Sequence, residues 1–212
     1  MSERREALFG WRLWRLRDAH LESWAASYTW VPGDNVAHCL APLLRCSQTP
    51  GRGCRCGFWG LFSLINCLKR ARAERTERSS VLGLIRAWGD VALHGQEGFR
   101  AQHASIACLF TDWAWDVPSL PVPERGLPGW WWRIQRALRY VSPPLPPDPW
   151  RKAMLGDAAA TYGVPLLSLE DGLRVGFLEE LGIESQMQEE ARAWVSMIDT
   201  RAAWWKERNL FD

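Results

Sequence analysis

Residues 81–110 constrain the fold of this 212-residue chain more than any other stretch. Val81, Gly83, Ile85, Ala87, Gly89, Val91 and Leu93 alternate with Arg86, Trp88 and Asp90. After His94-Gly95-Gln96-Glu97-Gly98 the alternation resumes with Phe99, Ala101, His103, Ser105, Ala107 and Leu109. A period of two sends successive side chains to opposite faces, as in a strand. Two such runs around a glycine-containing loop predict a β-hairpin, and its glycines suit a bulged, tightly turning ribbon.

Residues 8–17 carry the same period: Trp11, Leu13 and Arg15 alternate with Arg12, Trp14 and Leu16, which predicts a first strand. Tyr28-Thr29-Trp30-Val31 is a short β-favouring run stopped by the turn signal Pro32-Gly33-Asp34-Asn35. Residues 36–57 read as loop. Phe58, Leu61, Phe62, Ile65 and Leu68 recur at helical spacing and predict a helix from Phe58, extended by the charged residues 69–78 and ended by Ser79-Ser80.

Residues 116–129 and 142–149, rich in Pro and Gly, exclude helix and central strand. Between them, residues 130–141 read as a short helix with Arg133, Arg136 and Arg139 on one face and Trp131, Ile134 and Leu138 on another. The chain then turns helical. One helix covers 150–162, and a second opens at the capping pattern Ser168-Leu169-Glu170-Asp171 and closes at Gly182. The last begins at Ser185, with an apolar stripe of Met187, Ala191, Trp194, Val195, Ile198, Ala202 and Trp205. The expected class is α+β. Residues 1–115 form a small β-sheet or partly open barrel with one helix, 116–149 a Pro/Trp-rich strap or linker with a short helix, and 150–212 a helical C-terminal region.

Four of the six cysteines, Cys39, Cys46, Cys54 and Cys56, crowd the predicted loop. Four thiolates are the ligand number of a structural zinc, which would cross-link a segment with little core of its own, and His38 is a spare ligand. The single residue between Cys54 and Cys56 departs from the two to four usual in zinc knuckles. The alternatives are buried reduced thiols, with Cys56-Gly57 starting the helix, or a nucleophilic cysteine served by His94 or His103 as base. The N-terminus has no apolar stretch of signal-peptide type and no apolar run is long enough to span a membrane. Cytoplasmic residence is therefore expected, where clustered cysteines are ligands or thiols rather than disulfides.

The net charge of +2 gives no global pull toward nucleic acid or membrane, but residues 1–80 carry 13 Lys/Arg against 7 Asp/Glu. Arg12, Arg15, Arg17, Arg52 and Arg55, interleaved with Trp11 and Trp14, have the composition of a nucleic-acid surface, or of a strand with a solvated basic face. On the hairpin, His94, Glu97, Arg100 and His103 lie beside Trp88 and Phe99. This is either a recognition ribbon, in which rings stack a base and polar groups read its edge, or a solvated hairpin tip. Tryptophan is abundant, at 15 residues. Trp113, Trp115, Trp130, Trp131 and Trp132 would stack on bases, cage a cation, or pin a helix to the core. Asp112 and Asp116 make no dependable carboxylate pair. No P-loop, dinucleotide fingerprint, HExxH or GxSxG occurs, so no enzyme class is signalled.

Gly10-Trp11-Arg12, the Trp30-Val31-Pro32-Gly33 turn, Cys39, Cys54-Arg55-Cys56-Gly57 and the hairpin from Trp88-Gly89-Asp90-Val91 to Gly98-Phe99-Arg100-Ala101 together resemble a group of small uncharacterised bacterial proteins, many of them actinobacterial. These share a CxCG turn followed by a helix and a WGxV…GFRA-type hairpin. The resemblance covers about residues 8–110 and brings no known activity. It implies a His-Glu-Ala-Pro stretch before CxCG where this chain has Ser47-Gln48-Thr49-Pro50, so Cys46 would stand in for a histidine ligand.

The first functional reading is a non-catalytic module that binds nucleic acid or a nucleotide-like ligand through Trp11, Arg12, Trp14, Arg55, Trp88, His94, Glu97, Arg100 and His103, with zinc on the four cysteines and no membrane partner. One alternative is a protein–protein adaptor using the last amphipathic helix and exposed tryptophans. The other is a metal-dependent hydrolase or deaminase-like enzyme using the cysteines, His94 or His103 and Glu97.

Overall fold

The computed structural model describes residues 7–24, 26–41, 45–73, 80–111 and 149–208. The expected short helix at 130–141, most of the strap, and Trp113, Trp115, Trp130, Trp131 and Trp132 lie outside them.

The strands run β1 (Leu8–Arg17), β2 (His20–Ser23), β3 (Asn35–Val36), β4 (Phe58–Leu61), β5 (Ser80–Leu93), β6 (Gly98–Phe110) and β7 (Leu166–Leu167). The helices are α1 (Leu64–Ala73), α2 (Pro149–Tyr162), α3 (Leu169–Arg174), α4 (Phe177–Glu180) and α5 (Ser185–Arg208). The fold is α+β, with a seven-stranded sheet that is antiparallel except where β7 runs parallel to β6. The predicted hairpin is β5–β6, with register irregularities at Leu84/Ile85 and Trp88/Val91. β1 pairs with β5, β5 with β6, β6 with β4, and β4 returns to β1 through Trp11 opposite Leu61. The pairings thus close on themselves, as in a small barrel.

That closure depends on missing side chains. A Cβ on Gly60 would sit 2.5 Å from the Phe99 ring, and one on Gly10 would meet Gly60 Cα at 2.8 Å. Real Cβ atoms do not approach so closely, so these glycines let β1, β4 and β6 converge over Phe99. The surrounding core is aromatic. Trp14 packs edge-on to Trp30 at 5.5 Å, Trp30 lies 4.8 Å from Phe58, and Phe62 lies 5.6 Å from Phe99. Offset and edge-on packing is what the ring quadrupoles favour.

The alternation along β1 splits its residues between two cores. Trp14 and Leu16 join Trp30, Phe58 and Phe99, and α2 covers this face with Leu155, Ala158, Ala159 and Tyr162. Trp11 joins Leu82, Leu84, Cys108 and Phe110 on the other face, covered by Leu64 and Leu68 of α1, Leu169, Leu178 and Ile183 around α3 and α4, and Met187, Ala191 and Trp194 of α5. The C-terminal helices therefore flank the sheet on both faces.

Three expectations are corrected. Residues from Phe58 begin as strand β4, because Phe58, Trp59, Gly60 and Leu61 pair with Ala101, Arg100, Phe99 and Gly98. The helix starts only at Leu64, after Ser63, whose Oγ accepts from Asn66 N at 3.2 Å. The run at Tyr28–Val31 contributes only the bridge Glu22–Thr29, while β1 returns as β2 through Asp18 and Ala19, both with positive φ. The helix opened at Ser168, whose side chain caps Asp171 N, breaks at Gly176 with φ of 70° and resumes as α4.

Tyr162 of α2 ties the helical C-terminal part to β2 and the segment that follows it. Its hydroxyl accepts from Leu21 N at 2.9 Å and donates to Trp30 O at 2.8 Å, in a buried setting. Tyr162→Phe should cost about 1–3 kcal/mol in urea unfolding, because it strands a buried N–H and a carbonyl. Burial raises the phenol pKa above its ordinary value of 10.0. Above that value the unfolded chain ionises first, so wild-type stability should fall with alkalinity more steeply than that of the Phe variant.

Candidate metal centre and its surroundings

Among the described residues the segment between β3 and β4 has no regular structure, and four cysteines gather within it. The sulfurs of Cys39, Cys46, Cys54 and Cys56 all lie within 4.8 Å of one another, with Cys39–Cys54 at 3.8 Å and Cys46–Cys56 at 3.9 Å. Four sulfurs at the usual zinc distance of about 2.3 Å from a tetrahedral centre stand about 3.8 Å apart, so the spacing fits a metal ion. All four thiols are half-buried. Gly51 makes the crossing possible, because a Cβ there would collide with Cys46 Sγ, and its N–H donates to Cys56 Sγ at 3.2 Å.

The cluster is electrostatically uneven. The Cys39 thiol is held down to about 6, chiefly by backbone N–H groups of Cys46 and Ala41. The Cys46 thiol is pushed up to about 12, chiefly by its hydrogen bonds to Cys39 and Cys54. Sulfurs this close cannot all become thiolates without a cation between them, which is the role the arrangement suits.

Arg100 fastens this loop to the sheet. It lies on β6 opposite Trp59 of β4 and is only 5% exposed. Its Nη1 donates to the carbonyls of Cys54 and Cys56, the latter at 3.0 Å, and its Nε donates to His94 Nε2 at 2.7 Å. Accepting at Nε2 requires that nitrogen of His94 to be unprotonated. Trp59 roofs the assembly, stacked on His94 at 4.6 Å with the Arg100 guanidinium 5.5 Å from its ring centre. Trp59 Nε1 also donates to Arg55 O at 3.3 Å, and Gln48 Nε2 donates to Asp90 Oδ2 at 2.7 Å.

The other expected site residues divide. Trp11 and Trp14 are fully buried on opposite faces of the sheet, so neither offers a ring to a ligand. Arg12 points inward as well, donating to Trp59 O at 2.6 Å and Ser23 Oγ at 2.9 Å, with its guanidinium 4.9 Å from the Trp30 ring centre. Burial lowers its pKa to about 10, which leaves it charged at neutral pH. Arg55 is exposed beside the cysteines, Glu97 is exposed at the hairpin tip, and His38 is exposed and outside the sulfur group. Trp88 and His103 are cross-strand partners, half-buried and stacked in parallel at 5.8 Å, with exposed Arg86 6.0 Å from the indole centre. Trp59 and Gln48 escape sequence reasoning. Trp59 falls within the helix expected from Phe58, and only its place directly after the CxCG turn marks it.

No protein-family model, curated protein or solved structure matches this chain. Among the described residues no helix is long and apolar enough to cross a membrane.

Groups that hold metal ligands in place typically change affinity about 10–100-fold when removed. Arg100→Gln should weaken metal binding by a factor in that range in competition with a chromogenic chelator, with the sheet retained by circular dichroism.

Proposed function

We propose that this protein is a non-catalytic recognition module for nucleic acid, with zinc as a structural ion on Cys39, Cys46, Cys54 and Cys56. The observation that carries the reading is the cluster of four sulfurs within 4.8 Å of one another in residues 35–73, a stretch with six Lys/Arg and no Asp/Glu. Soft thiolates favour zinc among the common divalent ions, and four of them complete its coordination. A closed centre of this kind stiffens a loop. Here the loop presents exposed Arg45, Arg52 and Arg55, and nearby on the sheet the Trp88–His103 stack with Arg86 offers a π-face and a cation to a base.

The two alternatives have less support. A metal-dependent hydrolase needs an open coordination position, and His94 already binds Arg100 through Nε2. An adaptor working through the last helix needs its apolar stripe free, whereas Met187, Ala191 and Trp194 are buried against the chain's own sheet.

Protein purified without chelator should contain one zinc per chain by elemental analysis, and its absence would remove the metal part of the reading. Chelation should accelerate tryptic cleavage after Arg52 and Arg55 while far-ultraviolet circular dichroism changes little, because the sheet has its own core. A fluorescent single-stranded oligonucleotide should bind with salt-dependent affinity. Each of Arg52→Gln and Arg55→Gln should reduce the log–log salt slope by about 0.7, as loss of one phosphate contact does. No binding at low salt would sink the nucleic-acid part.

A further inference from the structure

The six cysteines divide into two kinds. Cys67 is 2% exposed and Cys108 is fully buried, both in the core around Trp11. Cys39, Cys46, Cys54 and Cys56 are half-buried in the loop, within reach of a molecule as small as a peroxide. Their close contacts run in pairs, Cys39 with Cys54 at 3.8 Å and Cys46 with Cys56 at 3.9 Å. A disulfide holds its sulfurs about 2.05 Å apart, so each pair lies about 1.8 Å short of bonding. The loop has no regular structure among its described residues to resist that closure.

The pairs cross in sequence, since Cys46 lies between Cys39 and Cys54, and Cys54 lies between Cys46 and Cys56. The near neighbours Cys54 and Cys56 therefore have separate partners. Two anchors hold this arrangement. Arg100 Nη1 donates to the carbonyls of Cys54 and Cys56, and Ala37 N, two residues ahead of Cys39, donates to Gln102 O at 2.8 Å. Gly51 leaves the room in which Cys46 meets Cys56, because a Cβ there would collide with Cys46 Sγ. Sulfurs gathered for a metal are also gathered for one another, and the two uses compete for the same electron pairs.

We propose that the cluster is a thiol–disulfide centre for peroxides, in which oxidation joins Cys39 to Cys54 and Cys46 to Cys56. In each pair one sulfur attacks an oxygen of hydrogen peroxide. The O–O bond breaks, the sulfur becomes a sulfenic acid, and the other oxygen leaves as water. The second sulfur then displaces the sulfenic oxygen, which also leaves as water, and the S–S bond forms. Two thiols have given up two electrons and two protons, and one peroxide has become two waters. Repeated at the second pair, the reaction removes all four sulfurs as ligands, so a bound zinc ion is released. A dithiol reverses each bridge, supplying two electrons as it cyclises. The pairing rests on the sulfur geometry alone, whereas the release of zinc rests on the structural-zinc reading.

The test uses the full chain, reduced and metal-free, treated with hydrogen peroxide. Remaining thiols are alkylated after unfolding, and the chain is digested with trypsin without reduction. Arg45, Arg52 and Arg55 separate the four cysteines, so each falls on its own peptide, and fragment ions distinguish Cys56 from Cys67. Mass spectrometry should find Cys39 linked to Cys54 and Cys46 linked to Cys56, with Cys67 and Cys108 alkylated. Cys39→Ser should lose the first bridge and keep the second. Zinc-loaded protein should release its zinc to a chromogenic chelator as the bridges form, and dithiothreitol followed by zinc should restore the loaded state. Both bridges in a protein that binds no zinc would remove the structural-zinc reading and leave this proposal standing. Bound zinc with no bridge formed in either preparation would do the reverse. Mixed pairings, a bridge between Cys54 and Cys56, or sulfinic acids in place of bridges would also overturn the proposal.

Discussion

The close approach of β1, β4 and β6 over the Phe99 ring is the constraint on which the rest of the molecule depends. β4 is four residues long, yet it links β6 to β1 and closes the pairings. It fits because Gly10 and Gly60 leave room where any side chain would strike Phe99 or the neighbouring backbone. The same short strand places Trp59 opposite Arg100 and delivers the chain from the cysteine loop to α1. Without that convergence the loop would lose the anchor that Trp59 and Arg100 provide.

Arg100 carries the consequence outward. Its neighbours Phe99 and Ala101 point into the aromatic core, and strand alternation turns Arg100 the other way, toward the loop. A guanidinium has donors to spare, so one side chain holds two loop carbonyls and an imidazole together. The sulfurs then gather in a loop whose described residues add only Ala37 to the buried hydrophobic core. Metal coordination and arginine bonding are complementary there, one drawing the cysteines inward and the other fixing where the cluster sits.

Much of this architecture was legible in the residues. The two-residue period of 81–110 marked the hairpin, the period of 8–17 marked β1, and the capping pattern at Ser168 marked α3. Phe58 to Leu68 misled, because Phe58, Leu61, Ile65 and Leu68 satisfy a helical spacing while the backbone of 58–61 has better partners on β6 and β1. Local period cannot register hydrogen bonds to a strand some forty residues away. The candidate site divides in the same way. The four cysteines were visible, whereas Trp11 and Trp14 belonged to the core. Alternating tryptophan with arginine on one strand describes an exposed face only if one face of the sheet is left uncovered, and here helices cover both.

The sequence by itself determined the first strand, the long hairpin, the helical C-terminal part and the crowding of four thiols into one irregular loop. All of these follow from local preferences and spacing. Only the tertiary structure decided that the one-residue gap between Cys54 and Cys56 is compatible with a tetrahedral cluster. The reason is physical: Cys39 and Cys46 approach from distant parts of the loop, and the path that brings them together is set by Gly51, Arg100 and the closed strand pairing. Which arginines face outward was decided at the same level, because Arg12 turns inward onto Trp59 O, Ser23 Oγ and the Trp30 ring, whereas Arg15, Arg17, Arg52 and Arg55 stay at the surface.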